Sequence, residues 1–171
     1  MDEQSYFGIY QGIVAESPNG PLPLGRICVR VPDLFGDQIL GPAWPCLPFA
    51  GDKLGFFAVP PKDTLVWVMF EMGHPDLPVW LGSFWEEEKE MPKLPQGAKQ
   101  NPDSVVLICT KGGHSILLDD AQSDGGITIQ TSGGQKIAIN SQSIEIDNGN
   151  GAKLELKNSQ VSINSGALEV S

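Results

Sequence analysis

Two histidines are the side chains of this sequence best suited to acid–base chemistry near neutral pH. His74 lies in a Gly-His-Pro run, and His114 follows a pair of glycines. A Ser/His/Asp hydrolase would need one of them as its general base. Both settings are typical of turns, so the sequence does not favour nucleophilic catalysis.

Carboxylates form a second candidate, because glycoside hydrolases use a pair of them. Asp119, Asp120, Asp124 and Glu145 could supply such a pair, as in trimeric β-helical tailspikes that degrade polysaccharides. Those enzymes carry aromatic platforms for the sugar, whereas residues 101–171 contain no Phe, Trp or Tyr. A polysaccharide-degrading tailspike is therefore the weaker alternative, and we expect no enzyme activity.

Metal sites and cofactors are not expected. The three cysteines, Cys28, Cys46 and Cys109, are odd in number, widely spaced and lack a CxxC motif, so neither a disulfide framework nor a zinc site is indicated. Residues 147–151 (DNGNG) begin like a calcium loop, but the spacing fails after the first ligands. This run predicts a tight turn.

The candidate carboxylates lie in a series of short alternating strands between Ser115 and Ser171. Seven times, two apolar residues flank one residue that is mostly polar or small, so each strand has one narrow apolar face. Strands this short cannot close a core within one chain. We expect an intertwined trimeric β-helix or β-prism stalk, in which each chain donates strands to three faces in turn. The predicted trimer core consists of Ile116, Leu118, Ile127, Ile129, Ile137, Ile139, Ile144, Ile146, Leu154, Leu156, Val161, Ile163, Leu168 and Val170.

The stalk sequence contains an internal repeat. Residues 110–119 align with residues 131–140 at an offset of 21. The steps between successive apolar pairs are 11, 10, 7, 10, 7 and 7 residues, which fit no regular β-helical repeat. Glycine pairs at 112/113, 125/126 and 133/134 suit strand corners of variable length, because glycine tolerates positive φ.

The first half of the chain predicts a small all-β barrel. Strands are expected at residues 6–15, 25–31, 43–50, 64–71 and 77–84, with Pro32 ending the second. Five short strands with a long first loop suit an OB-type barrel. Residues 1–85 are therefore assigned to an OB fold, residues 86–102 to a charged, proline-containing linker and residues 103–171 to the trimeric prism.

The net charge of the chain indicates which partners to expect. The net charge of −10 repels phosphate backbones, so nucleic-acid binding is not expected. An OB fold that binds single strands remains the main alternative, because the chain offers aromatics at Trp44, Phe49, Phe56, Phe57, Trp67, Trp80 and Trp85. Against it, Arg26 and Arg30 are the only arginines.

Three segments of the first half resemble a known family. Residues 25–32 (GRICVRVP), 61–71 (PKDTLVWVMFE) and 73–84 (GHPDLPVWLGSF) resemble the OB domain of phage baseplate assembly protein V and of VgrG-type spikes. Residues 110–119 (TKGGHSILLD) are similar to the opening of the spike's β-prism. The sequence departs from the family at Lys62-Asp63, where Val-Gly-Asp is usual, and at His74, where Asp is common. Both departures fall in turns.

The resemblance implies the homotrimeric central spike of a contractile injection machine. It implies a separate hub protein at the barrel end, other baseplate proteins, and contact with a membrane only by mechanical puncture. A PAAR-like tip protein would contact Ala167, Leu168, Val170 and Ser171. No signal peptide is recognised at the start, so the protein would be made in the cytoplasm and assembled into a virion or phage tail-like particle.

Overall fold

The computed structural model describes residues 4–17, 19–95, 98, 100–120, 125–164 and 167–170. Residues 169 and 170 are described by their backbone alone. The chain divides into two compact units, residues 1–91 and 92–171. The division falls inside the segment assigned to the linker, whose boundaries stay a prediction. Both units are built from strands, as the sequence predicts. No helix among the described residues is long and apolar enough to cross a membrane.

The first unit is a closed five-stranded barrel with a small hairpin inserted. Its strands are β1 (Tyr10–Ala15), β2 (Ile27–Arg30), β3 (Ile39–Pro45), β4 (Ala50–Gly51), β5 (Leu54–Gly55), β6 (Leu65–Phe70) and β7 (Pro78–Ser83). The barrel order is β1-β2-β3-β7-β6, and β4 pairs only with β5. All neighbours in the barrel are antiparallel except β3 and β7, which close it in parallel through Trp44 and Val79. This arrangement confirms the expected OB-type barrel.

The barrel buries its own core. Val29, Val31, Val66 and Val68 are completely shielded from solvent, because alternate residues of β6, and of β2 together with the residue after it, point inward. The indole Nε1 of buried Trp80 donates a hydrogen bond to the carbonyl of Gly25 at 3.2 Å. A buried indole N–H needs such a partner, so this contact satisfies the one polar atom of a large core side chain.

The predicted position of the third strand was wrong. The structure has it at Ile39–Pro45 rather than at residues 43–50. Leu40 and Ala43 fill the core from β3, but they are three residues apart and their pairing with β2 contains a register shift. Such an irregularity hides the period of two on which strand prediction depends.

A single helical turn, α1 (Pro32–Phe35), follows β2. Proline suits the first position of a helix because the missing N–H would have no partner there. Pro32 therefore ends the strand, as predicted, and begins the turn. Short 3₁₀ turns lie at Pro23–Gly25, Glu71–Gly73, Glu88–Glu90 and Pro102–Ser104.

The second unit is one open antiparallel sheet of eight strands. They are β8 (Val105–Cys109), β9 (Ser115–Asp119), β10 (Gly126–Gln130), β11 (Lys136–Asn140), β12 (Ser143–Asp147), β13 (Lys153–Lys157), β14 (Gln160–Ile163) and β15 (Leu168–Val170). Their order in the sheet is their order in the chain. Consecutive strands of one chain thus pair with each other, which differs from the expected alternation among three faces.

The sequence missed β8. Its five residues, VVLIC, are all apolar, so they lack the alternation with polar or small residues that marked most of the other seven strands. The structure pairs Val106 with Leu118 and Ile108 with Ile116. The array therefore begins one strand earlier than the seven predicted pairs.

Candidate functional site

The most distinctive surface of the second unit is an apolar face made of two columns of side chains. Each residue of an apolar pair lies opposite a residue of the apolar pair on the next strand, and the pairing from β8 to β15 contains no register shift. Column 1 contains Ile108, Ile116, Ile129, Ile137, Ile146, Leu154, Ile163 and Leu168. Column 2 contains Val106, Leu118, Ile127, Ile139, Ile144, Leu156, Val161 and Val170.

These columns are uncovered in the single chain. Their described side chains are 36% to 59% exposed, apart from the half-buried Leu154. Column 1 borders a shallow groove of about 630 Å³, lined by Ile129, Ile137 and Ile146 among others. Within the described part of residues 92–171, Ala98 is the sole buried hydrophobic side chain. The sheet thus has no hydrophobic interior of its own, and an apolar area this long is typical of an interface.

All fourteen predicted core residues belong to the two columns. The structure adds Val106 and Ile108, which the sequence analysis missed together with β8. Of Val170, the structure describes the backbone pairing with Val161. Among the predicted tip contacts, Ala167 and Leu168 are exposed, while Ser171 lies outside the described residues.

Turns of two lengths recur between the strands of the sheet. Five-residue turns begin at Thr110, Thr131 and Asn148, whose N–H groups donate to the carbonyls of His114, Gln135 and Ala152 at 2.9, 2.9 and 3.1 Å. Two-residue turns join β11 to β12 and β13 to β14. The internal repeat therefore includes a repeated turn, and the alternating steps of 10 and 7 residues from β10 to β14 come from alternating turns of five and two residues.

Two glycines fit close backbone contacts at these corners. Gly126 has φ of +149°, and an added Cβ would lie 2.1 Å from the carbonyl oxygen of Ile139. Gly149 packs against the neighbouring turn, where a Cβ would lie 3.0 Å from the carbonyl carbon of Gly134. The close approach of adjacent strands and turns excludes a side chain at both positions.

The opposite face of the sheet is polar over much of its length. Glu145 lies directly across from Glu155, an arrangement that repels. Lys153 offsets it, since its Nζ lies 3.1 Å from a carboxylate oxygen of Glu145. This hydrogen bond holds the pKa of Glu145 below its usual range. It also raises the pKa of Lys153, against the opposing effect of partial burial.

Among the described candidate groups, the two histidines lie in turns, and Asp119 and Glu145 lie on strands that are not adjacent. His114 lies in a turn, and its Nδ1 accepts the backbone N–H of Ser132 at 3.4 Å. His74 also lies in a turn, with its backbone N–H bonded to the carbonyl of Glu71 at 3.0 Å. Asp119 on β9 and Glu145 on β12 are three strands apart, about 14 Å of backbone at ~4.8 Å per strand. That spacing exceeds the about 5 to 9.5 Å between the carboxyl groups of glycosidases, and Asp124 lies outside the described residues.

The predicted calcium-like run forms a turn. Asp147 Oδ1 accepts the N–H of Gly149 at 2.7 Å, and Asn148 Oδ1 accepts those of Asn150 and Ala152 at 2.9 Å each. These oxygens therefore bond the turn's own backbone. Across the described residues, no group of three or more His, Cys, Asp or Glu side chains is placed to hold a metal ion.

The barrel aromatics range from buried through half-buried to exposed. Trp80 lies in the core, and Trp67 stacks on Phe84 with ring centroids 4.6 Å apart. Trp44, Phe49, Phe56, Phe57 and Trp85 are exposed. The Arg26 guanidinium lies 5.0 Å from the ring centroid of Trp44, so this arginine already has an aromatic partner within the chain.

Two family models match the chain and divide it as the structure does. Residues 10–85 match the type VI secretion system/phage-baseplate injector OB domain. Residues 104–169 match the phage baseplate V C-terminal trimerisation domain. The chain belongs to the phage baseplate V family of spike proteins. No curated protein matches it individually.

Membership of the baseplate V family identifies residues 104–169 as a trimerisation domain. A trimerisation domain joins three copies, and this one spans β8 to the middle of β15. The baseplate V chain is therefore a structural baseplate component of an injection system, built from an OB barrel and a trimerising sheet.

Proposed function

We propose that three copies of this chain form the central spike of a contractile injection machine, with columns 1 and 2 as the trimer core. The observation that carries the proposal is the pair of uninterrupted apolar columns on a sheet without an interior. Three such faces packed around one axis would remove about sixteen aliphatic side chains per chain from water, which is favourable for each of them.

The spike would carry a separate tip protein at its C-terminal end and meet a hub protein through its barrel. Leu168, the last described side chain of column 1, is 56% exposed. On sheath contraction the trimer would pierce the target membrane as a rigid part, without enzymatic activity. Unfolding such a trimer requires three chains to separate together, which favours slow unfolding under load.

Native mass spectrometry of the purified chain should give a trimeric mass. In gel electrophoresis, the trimer should resist SDS without heating. A single-copy folded species at micromolar concentration would refute the proposal.

Incorporation into particles tests the role of the spike. Particles purified from cells that produce the tagged chain should contain it together with hub and tip proteins. Leu168→Asp changes only the last column layer, so it should leave the trimer intact but remove the tip protein from the particle. Retention of the tip in this variant would contradict docking at that end.

A further inference from the structure

The barrel carries an apolar area on its outside that its own core does not explain. In β6 the inward residues Val66, Val68 and Phe70 are buried, yet the alternate residues Leu65, Trp67 and Met69 are also apolar. An antiparallel sheet with one face in water normally alternates apolar with polar residues. We call this area the strand patch, and it comprises Ile9, Trp67, Met69, Val79, Leu81 and Phe84.

The strand patch contains a groove of about 370 Å³ lined by Ile9, Trp67 and Leu81. Ile9 is 61% exposed at its rim. Stacking on Phe84 holds the ring of Trp67 in place. The patch is thus a preformed apolar recess on a rigid sheet, which is the kind of surface that receives a protein side chain.

A second apolar area surrounds the β4–β5 hairpin. We call it the hairpin patch, and it comprises Leu24, Trp44, Phe49, Leu54, Phe56 and Phe57. All six side chains are exposed, and Phe57 is the most exposed of them at 76%. All but Phe49 border a recess of about 980 Å³ that is also lined by Cys46 and Lys53. The hairpin backbone is held to the preceding segment by a hydrogen bond from Phe56 N–H to the Phe49 carbonyl at 3.1 Å.

The two patches adjoin, while another part of the barrel surface is charged. Trp44 of the hairpin patch pairs across the β3–β7 ladder with Val79 of the strand patch. Elsewhere, Lys62 bonds Glu16 at 2.9 Å, and Arg30 lies 3.9 Å from Asp37. The barrel therefore has adjacent apolar sides and a polar side, rather than apolar residues scattered singly.

A ring of three identical subunits needs two different surfaces on each subunit, because a threefold contact is heterologous. The barrel offers two, and the trimerisation domain of the same chain keeps three barrels together. With such tethering, effective concentrations reach roughly millimolar values, so even weak complementary patches associate. We propose that the strand patch of one barrel packs on the hairpin patch of the next copy and that the barrels close their own threefold ring.

This inference rests on the proposed trimer but adds a second interface to it. Contact between copies accounts for both patches at once, because each barrel would use its strand patch toward one neighbour and its hairpin patch toward the other. The barrels would then form a stiff collar rather than three independently tethered domains.

Thiol labelling of the full-length chain tests the contact. Cys46 is exposed in the single chain and lines the recess of the hairpin patch, whereas Cys28 is buried. A Cys109→Ser background removes the other exposed thiol. In the trimer, Cys46 should react with a maleimide about tenfold more slowly than in the urea-unfolded chain, because labelling would require opening of the contact.

The decisive variant is Leu81→Lys, which alters the strand patch only. It should accelerate the labelling of Cys46 on the neighbouring copy to near the unfolded rate, while the mass remains trimeric. Ile9→Lys, at the more exposed rim, should act in the same direction if Leu81→Lys proves poorly folded. Ile39→Lys is the matched control, because Ile39 is an exposed aliphatic residue beside Arg30, Asp37 and Lys62. It should leave the labelling rate unchanged.

Rapid labelling of Cys46 in the parent trimer would overturn the inference while leaving the trimer itself intact. The same holds if Cys46 becomes protected only after the hub protein is added, since the hub would then cover the hairpin patch. A monomeric mass would instead refute the proposed function.

Discussion

The barrel and the sheet use similar strands but bury their apolar residues in opposite ways. The barrel strands contain register shifts, at Ile27/Val29 and at Trp67/Val68, which bend strands and help a sheet close. The pairings from β8 to β15 contain none. The barrel therefore encloses its valines within one chain, whereas the sheet stays open with its columns uncovered.

The difference teaches how one chain can contain both a self-sufficient and a dependent domain. Closure provides the barrel with an interior before any partner arrives. Continuous register keeps the sheet regular, so that three identical faces could pack along their whole length. Substitutions in the two units should therefore damage different properties of the protein.

The largest effect is expected in the columns. Ile139→Asp would place three carboxylates in one layer of the proposed trimer core, and burying unpaired charges is strongly unfavourable. We expect native mass spectrometry to detect no trimer.

Thr128→Asp is the matched control for Ile139→Asp, since Thr128 lies on the opposite face between Leu117 and Ala138. Its trimer should persist. A normal trimer from Ile139→Asp would contradict the assignment of the columns to the core.

The corresponding change in the barrel should affect stability but not assembly. Phe70 is buried and lies within 5.8 Å, between ring centroids, of Tyr6, Tyr10 and Phe35. Phe70→Ala should cost the barrel about 3–5 kcal/mol of unfolding free energy. Urea titration should detect an early barrel transition at an unchanged trimeric mass. Simultaneous loss of the trimer would show that the units depend on each other.

A smaller effect is expected at a strand corner of the sheet. Gly126→Ala combines positive φ with the Cβ contact to the Ile139 carbonyl, and such strain costs about 1–3 kcal/mol per chain. Gly151→Ala is the control, because Gly151 has φ of +95° but no atom within 4 Å of the added Cβ. The dissociation temperature of the trimer should fall further for Gly126→Ala. The reverse order would mean that the close approach at β10–β11 is not maintained.

The smallest effect concerns charge and pH. Because the pKa of Glu145 lies below 4.5, its bond to Lys153 stabilises the sheet above that pH and is lost as pH falls through the lowered pKa. Because the pKa of Lys153 lies above 10.5, the contribution is lost again as pH rises through the raised pKa.

Glu145→Gln should therefore lower sheet stability by at most about 1 kcal/mol between about pH 5 and pH 10, and the difference should vanish in acid. The barrel pair Lys62–Glu16 is more exposed, so Glu16→Gln should change barrel stability less. Thermal scans at several pH values provide both measurements. A deficit of Glu145→Gln that persists below pH 3 would contradict the charge explanation.

The sequence alone determined the alternation of the sheet and therefore its fourteen core candidates. Apolar pairs such as Ile137 and Ile139 allow only one side of a strand to be apolar, whatever the neighbouring strands are. The same reasoning failed for β8, because an all-apolar strand has no period. It also failed for β3, where a register shift separates Leu40 from Ala43.

Only the tertiary structure decided how these pieces combine. Cross-strand register turned seven separate pairs into two continuous columns and added Val106 and Ile108 to them. The parallel contact of β3 with β7 closed the barrel and brought Trp44 beside Val79. Local sequence specifies which side of a strand is apolar, whereas long-range pairing specifies which strands share that side. That pairing depends on contacts between residues distant in the chain, which no short pattern contains.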